Sequence, residues 1–162
     1  MLDTPTALTR LKRHKTIPFL DVHTTGTEVS WARIGKSTIF DLILNANIVT
    51  SAFIESEMPT DDVTYYKPTL SQELQANAGD PAFDFLYNMF YNLPTGEDIK
   101  KTALFVFAGT SSPYNAWQCE VSVILKDFNT VDEKILFDLN INSITRGTAT
   151  VTAGVPAFTA AE

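Results

Sequence analysis

Cys119 is the single cysteine in 162 residues. It cannot close an internal disulfide, so the fold does not lean on an oxidising compartment. Its place in an alternating apolar segment predicts a buried structural thiol. No apolar run is long enough to span a bilayer, so membrane insertion is not expected. No apolar stretch follows the first basic residues, which argues against a secretory signal. The two histidines, His14 and His23, have no Cys, Asp or Glu at metal-ligand spacing, and no metal is expected. His23 reads as an ordinary strand-end residue. No serine or cysteine has an evident base, so no catalytic residue, enzyme activity or cofactor is expected. Gly35-Lys36-Ser37-Thr38 looks like the end of a phosphate-binding loop. The loop's first glycine would fall at Ser30, and the strand-rich context is wrong, so nucleotide binding is set aside.

What is present is an ordinary folded composition with an uneven charge. Apolar residues make up 44% and charged residues 19%. The length suits one domain with a full core, spanning residues 1–162 with a basic N-terminal arm (1–15) and a C-terminal tail (154–162). The net charge is −7, yet residues 1–15 hold Arg10, Lys12, Arg13 and Lys15 against Asp3. That segment is net +3, which leaves −10 on the rest. An acidic body is a poor non-specific partner for nucleic acid, because phosphate binding needs clustered cations. The basic arm is expected to seek an acidic partner, and another copy of the body supplies one.

Residues 80–93 form the one convincing helix. Asp80 can cap it, and Pro81 suits the first helical position, where a missing N–H costs nothing. Pro94 and Gly96 stop it. Asp84, Asn88 and Asn92 make one narrow polar stripe, and nearly everything else is apolar or aromatic. A surface helix usually has a wider polar face, so this one is expected to be covered on two sides. It is either a core helix of a monomer or a helix between its own sheet and a neighbouring subunit. On the second reading Tyr87 and Tyr91 are contact residues, together with Arg10, Lys12, Arg13 and Lys15 of the arm.

The remainder reads as strands. Phe19–Val22 is short, and Thr102–Ala108 is apolar on both faces. Four segments alternate: 47–58, 63–77, 117–127 and 134–142, with turns at Pro59–Asp62 and around Asn129. Pro68 predicts a bulge, bend or edge in the second of them. Ile144–Thr152 is a further, Thr-rich strand. Strands with one embedded helix predict a mainly β fold: an antiparallel β-sandwich or partial barrel with one flanking α-helix.

Several segments, in order, resemble the tail tube (major tail) protein of bacteriophages with long non-contractile tails. They are Trp31-Ala32-Arg33-Ile34-Gly35-Lys36, Tyr66-Lys67-Pro68, Gly79-Asp80-Pro81-Ala82-Phe83-Asp84-Phe85, Ala116 to Asn142, Arg146-Gly147-Thr148 and Pro156-Ala157-Phe158-Thr159. Ser37 and Ser143, where some members carry glycine, and the basic arm depart from the pattern.

The resemblance implies a virion structural protein, made in the host cytoplasm, whose hexameric rings stack into a tube that conducts DNA during ejection. It implies tape measure and tail terminator or tip proteins as partners, and DNA passing without specific binding. In such tubes four strands per subunit close an inner barrel of about 24 strands. At about 4.8 Å per strand the circumference is roughly 115 Å and the diameter about 37 Å, wide enough for a duplex. The polar faces of the four alternating strands fit a bore lined by Glu55, Glu57, Glu73, Gln75, Glu120, Ser122, Lys126, Asp138 and Asn140. Carboxylates outnumber lysines there, and like charge keeps DNA from sticking. The alternatives are the inner tube of a contractile injection or type VI-like apparatus, and a monomeric ligand-binding β-sandwich.

Overall fold

The computed structural model describes Arg10, Lys12, residues 15–23, Gly26, residues 28–35, Ser37, residues 41–109 and residues 111–162. The strands are β1 (Thr16–Asp21), β2 (Trp31–Arg33), β3 (Asp41–Ile43), β4 (Ala46–Ser51), β5 (Thr60–Tyr66), β6 (Thr69–Gln75), β7 (Lys100–Phe107), β8 (Tyr114–Asn129), β9 (Lys134–Thr152) and β10 (Val155–Ala160). The helix α1 (Pro81–Asn92) lies between β6 and β7.

The main sheet runs β2-β1-β7-β8-β9-β6-β3, and every pair is antiparallel. Both ends of this path belong to one stretch of chain. It leaves β1 after Arg33, bridges to Leu74 of β6 at Ser37, and joins β6 as β3. The sheet therefore folds back on itself, and the product is a β-sandwich with one flanking helix. No barrel closes among the described residues.

Alternation decides the core. Leu70 and Leu74 of β6, Val121 and Val123 of β8, and Ile135, Phe137, Leu139 and Ile141 of β9 are all buried. They meet Ala82, Phe83, Leu86 and Met89 of α1 in the main cluster. A strand has period two, so the residues between them face the other way. β7 is buried on both faces: Ala103 and Phe105 join this cluster, while Leu104 and Val106 join a second one with Phe19, Ala116 and Ala149. Cys119 is buried in the main cluster, and burial alone pushes its thiol up to about 12.

The helix starts as its sequence dictates. Asp80 Oδ1 accepts the Ala82 N–H at 3.2 Å, and Pro81 opens the first turn. It ends at Leu93, which takes a left-handed conformation (φ 49°) and donates its N–H to the Met89 carbonyl.

Five expectations are corrected. The strand expected over 47–58 ends at Ser51, and residues 52–59 make the turn, because Ser51 pairs with Thr60. Thr60–Asp62, expected as a turn, belong to β5. The strand expected over 63–77 is two strands in different sheets, parted at Lys67-Pro68, where proline interrupts pairing. The segments 134–142 and 144–152 are one strand, β9, with Asn142 bulged where the register steps from Glu120↔Ser143 to Val121↔Ile141. The C-terminal segment expected as a tail contains β10, paired with β9 from Thr152 to Gly147.

Candidate assembly surfaces

Three surfaces of the protein carry side chains that its own core does not use. The first is the polar face of β6, β8 and β9. Register lines up Thr69, Asn140 and Ser122 in one row, and Ser71, Asp138 and Ile124 in the next. Residues paired across antiparallel strands share a face. Glu73, Gln75, Glu120, Ser122, Lys126, Asp138 and Asn140 are therefore brought together, on the side opposite α1. Two ion pairs tie this face. Lys126 reaches Asp138 at 2.9 Å, and Lys134 pairs with Glu73. The hydrogen bond to Glu73 and that carboxylate's charge raise the Lys134 pKa above its ordinary value. Asn142 Nδ2 donates to Ser122 Oγ at 2.9 Å. Lys100 at the near end pairs with Glu97 at 2.8 Å. Each of these three lysines already has a carboxylate.

Glu55 and Glu57 do not join this face. Both are exposed in the turn between β4 and β5. The expected strand would carry them on its polar face, but the backbone at 52–59 turns instead of extending.

The second surface is the outer side of α1. Its inner side is covered by the sheet, and Phe83 and Phe90 both stack against Phe128 of β8. Tyr87, Phe90, Tyr91 and Leu93 are exposed, Tyr91 to 76%. Within one copy the helix is covered on one side, not two. Beyond its C-terminal end lies an apolar groove of about 420 Å³, lined by Met89, Leu93, Ile99, Val123, Ile124 and Leu125 among others.

The third surface is the β4–β5 hairpin, a two-stranded sheet apart from the main one. Ile48 lies opposite Val63, and both are exposed. Phe53, Ile54 and Met58 at the tip, and Tyr65 and Tyr66 at the base, are exposed as well. Residues 46–66 carry Glu55, Glu57, Asp61 and Asp62 and no cation, a net −4. Sequence reading missed this surface because it ran one alternating strand from 47 to 58 through the residues that turn. The local signal was the acidic, cation-free composition.

At the N-terminal end, Arg10, Lys12 and Lys15 are exposed, and Arg13 lies outside the described residues. His23, expected as an ordinary strand-end residue, follows β1. Its Nδ1 is 2.6 Å from Asp21 Oδ2, while Asp21 Oδ1 accepts the backbone N–H of His23 and of Ser30. The buried carboxylate thus ties His23, just after β1, to Ser30, just before β2. Of the Gly35–Thr38 segment, Lys36 and Thr38 lie outside the described residues.

No protein-family model matches the sequence, and no curated protein matches it. Solved structures do. A chain from the tail of an empty GTA particle, solved with helical refinement and C6 symmetry, is 13% identical with a TM-score of 0.55, covering 92% of this chain and 98% of that one. A chain from the tube-terminating cap of the anti-feeding prophage is 15% identical with a TM-score of 0.49, covering 91% and 97%. A chain from that prophage's baseplate is 8% identical with a TM-score of 0.42, covering 90% and 97%. The first likeness shows that this chain shares, over nearly its whole length, the fold of a chain from the tail of a GTA particle.

Proposed function

We propose that this chain is a structural subunit of a tail tube of the non-contractile type. Six copies form a ring, rings stack into a conduit, and DNA passes through it during ejection. The observation that carries this reading is the β4–β5 hairpin. An isolated two-stranded hairpin is at best marginally stable in water, and this one exposes apolar residues on both strands. Such a surface calls for cover by a partner. The shared fold with a C6 tail component makes copies of the same chain the natural partner. The chain acts by shape and assembly, with no catalytic step. Its other partners are the tape measure and the terminator or tip proteins at the tube ends.

The polar face of β6, β8 and β9 lines the bore. Lysines there would hold phosphate through counterion release if they were available. Ion pairing with Asp138 and Glu73 makes them unavailable, so the wall is polar, wetted and non-adhesive. The basic segment 1–15 meets the acidic body of a neighbour, and added salt weakens stacking. Light scattering on the concentrated protein tests self-association. Growth beyond monomer mass, reduced by Tyr91→Asp or by high salt, is the expected result. A monomer at every concentration sinks the reading.

A further inference from the structure

We propose that Asn45 is the positioning residue of the assembly arm: it fixes the direction in which the β4–β5 hairpin leaves the main sheet. The proposal rests on the self-assembly reading above and names what sets its geometry. β4 follows β3 and β6 follows β5, with the register unchanged across the gap. Ile43 faces Thr69 and Ala46 faces Tyr66, so two residues intervene on each strand, Leu44 and Asn45 against Lys67 and Pro68. Residues 41–75 are therefore one ribbon, rooted in the main sheet as β3 and β6 and projecting from it as β4 and β5. The ladder breaks at the joint for two reasons. Pro68 has no N–H to donate. Asn45 takes a left-handed conformation (φ 47°), which asparagine tolerates better than most residues.

One side chain replaces the lost pairing. Asn45 Nδ2 carries two N–H donors and uses both across the ribbon, to the Lys67 carbonyl at 3.1 Å and to Thr69 Oγ1 at 3.2 Å. The structure on either side of the joint is braced. Pro68 is buried, and its carbonyl accepts the Ile141 N–H at 3.0 Å. On the arm, Asn47 Nδ2 donates to Thr64 Oγ1 at 2.6 Å beside the bulge, and Thr50 Oγ1 donates to Asp61 Oδ1 at 2.6 Å. Packing does not hold the arm in place. From Leu44 to Lys67 every residue is exposed except Asn47 and Ser51, which are half-buried. The arm's direction thus rests on the Asn45 amide and the two backbone crossings.

An arm held before contact presents Ile48 and Val63 to a neighbour already aligned. A swinging arm binds only during the fraction of time it points the right way, and its affinity falls by that fraction.

Spin labels report the direction. Val49→Cys on the arm and Val131→Cys on the β8–β9 turn are exposed sites, and buried Cys119 stays unlabelled. Asn45→Gly keeps the left-handed backbone and removes both hydrogen bonds. Thr69→Val removes one acceptor and keeps the side-chain shape. In the dilute full-length chain, pulsed electron resonance should give a narrow distance for the parent, a broad one for Asn45→Gly and an intermediate width for Thr69→Val. The Ile48–Val63 contact should persist by NMR in all three. Self-association of Asn45→Gly should weaken about tenfold, as for an arm aligned about a tenth of the time. Equally narrow distances in all three chains overturn the assignment of Asn45, and loss of the Ile48–Val63 contact does so as well, because the arm has then melted and not swung. A broad distance with undiminished association overturns the role in assembly. A parent that never associates overturns the self-assembly reading, a failure distinct from any result at the joint.

Discussion

Gly147 of β9 lies directly beneath the ring of Phe158 of β10. A Cβ at 147 would come within 2.7 Å of the ring and would press on the Thr159 carbonyl. Glycine is needed there because the last strand packs its aromatic side chain on backbone. Gly147→Ala overpacks this contact and costs about 1–3 kcal/mol, by the general penalty for inserting a carbon into a packed site. Amide exchange at Val155–Ala160 should quicken while that at β7 holds. Equal protection of β10 in the variant contradicts the account.

Gln72 is buried between Leu70 and Leu74 on the core face of β6, only 3% exposed. Neither of its amide atoms has a hydrogen-bond partner among the described residues. An unpaired buried amide costs about 1–3 kcal/mol. Gln72→Leu should raise the denaturation midpoint without changing the slope. A lower midpoint would show that the amide is needed.

Cys119, Lys134 and Lys100 all make the protein alkali-sensitive, because each binds its proton more tightly in the folded chain. The Cys119 thiol ionises at about 12 in the folded chain, above its ordinary value. The folded state therefore binds the proton more tightly, and this contribution is intact at neutral pH. It falls as pH rises past the unfolded thiol's range towards 12. Lys134, raised by Glu73, acts in the same direction above the ordinary lysine range. A thiol reagent at pH 8 should leave the native protein unmodified and react fully after denaturant is added. Rapid reaction of the native protein would contradict the burial.

The charge-paired sheet face gives a DNA prediction. Asp138→Asn and Glu73→Gln unmask Lys126 and Lys134 on every subunit. Each released cation adds to phosphate affinity, and the gain fades with salt. Assembled variant tubes should retain labelled DNA at low salt and release it at high salt, with little change in subunit folding. Retention equal to that of the native tubes would show that this face is not turned to the bore.

The mainly β fold, the capped helix and the doubly buried β7 were legible because each rests on local chemistry. Asp80-Pro81 starts the helix, and β7 is a short apolar run. The inward residues of β8 and β9 followed from simple alternation. The hairpin was legible as two strands joined by a turn, but with its turn at Pro59–Asp62 instead of at 52–59. Ile48, Ala52, Ile54 and Met58 fall on one face of a strand read straight through, and the pairing of Ser51 with Thr60 shows that the chain has already turned. Nor could periodicity show that Asp138 and Glu73 neutralise lysines, because that depends on a bulge at Lys126 and on strands distant in sequence. The helix's apolar girth predicted cover on two sides, and in a single copy Tyr91 and Leu93 are exposed.

The central claim is that copies of this chain build a tube. Electron microscopy of the concentrated protein, with class averages viewed end-on and side-on, tests it most directly. The account predicts hollow rings with six-fold symmetry that stack at a regular repeat, and loss of the stacks in Ile54→Asp. Isolated monomeric particles at all concentrations, or aggregates without a bore, would contradict it.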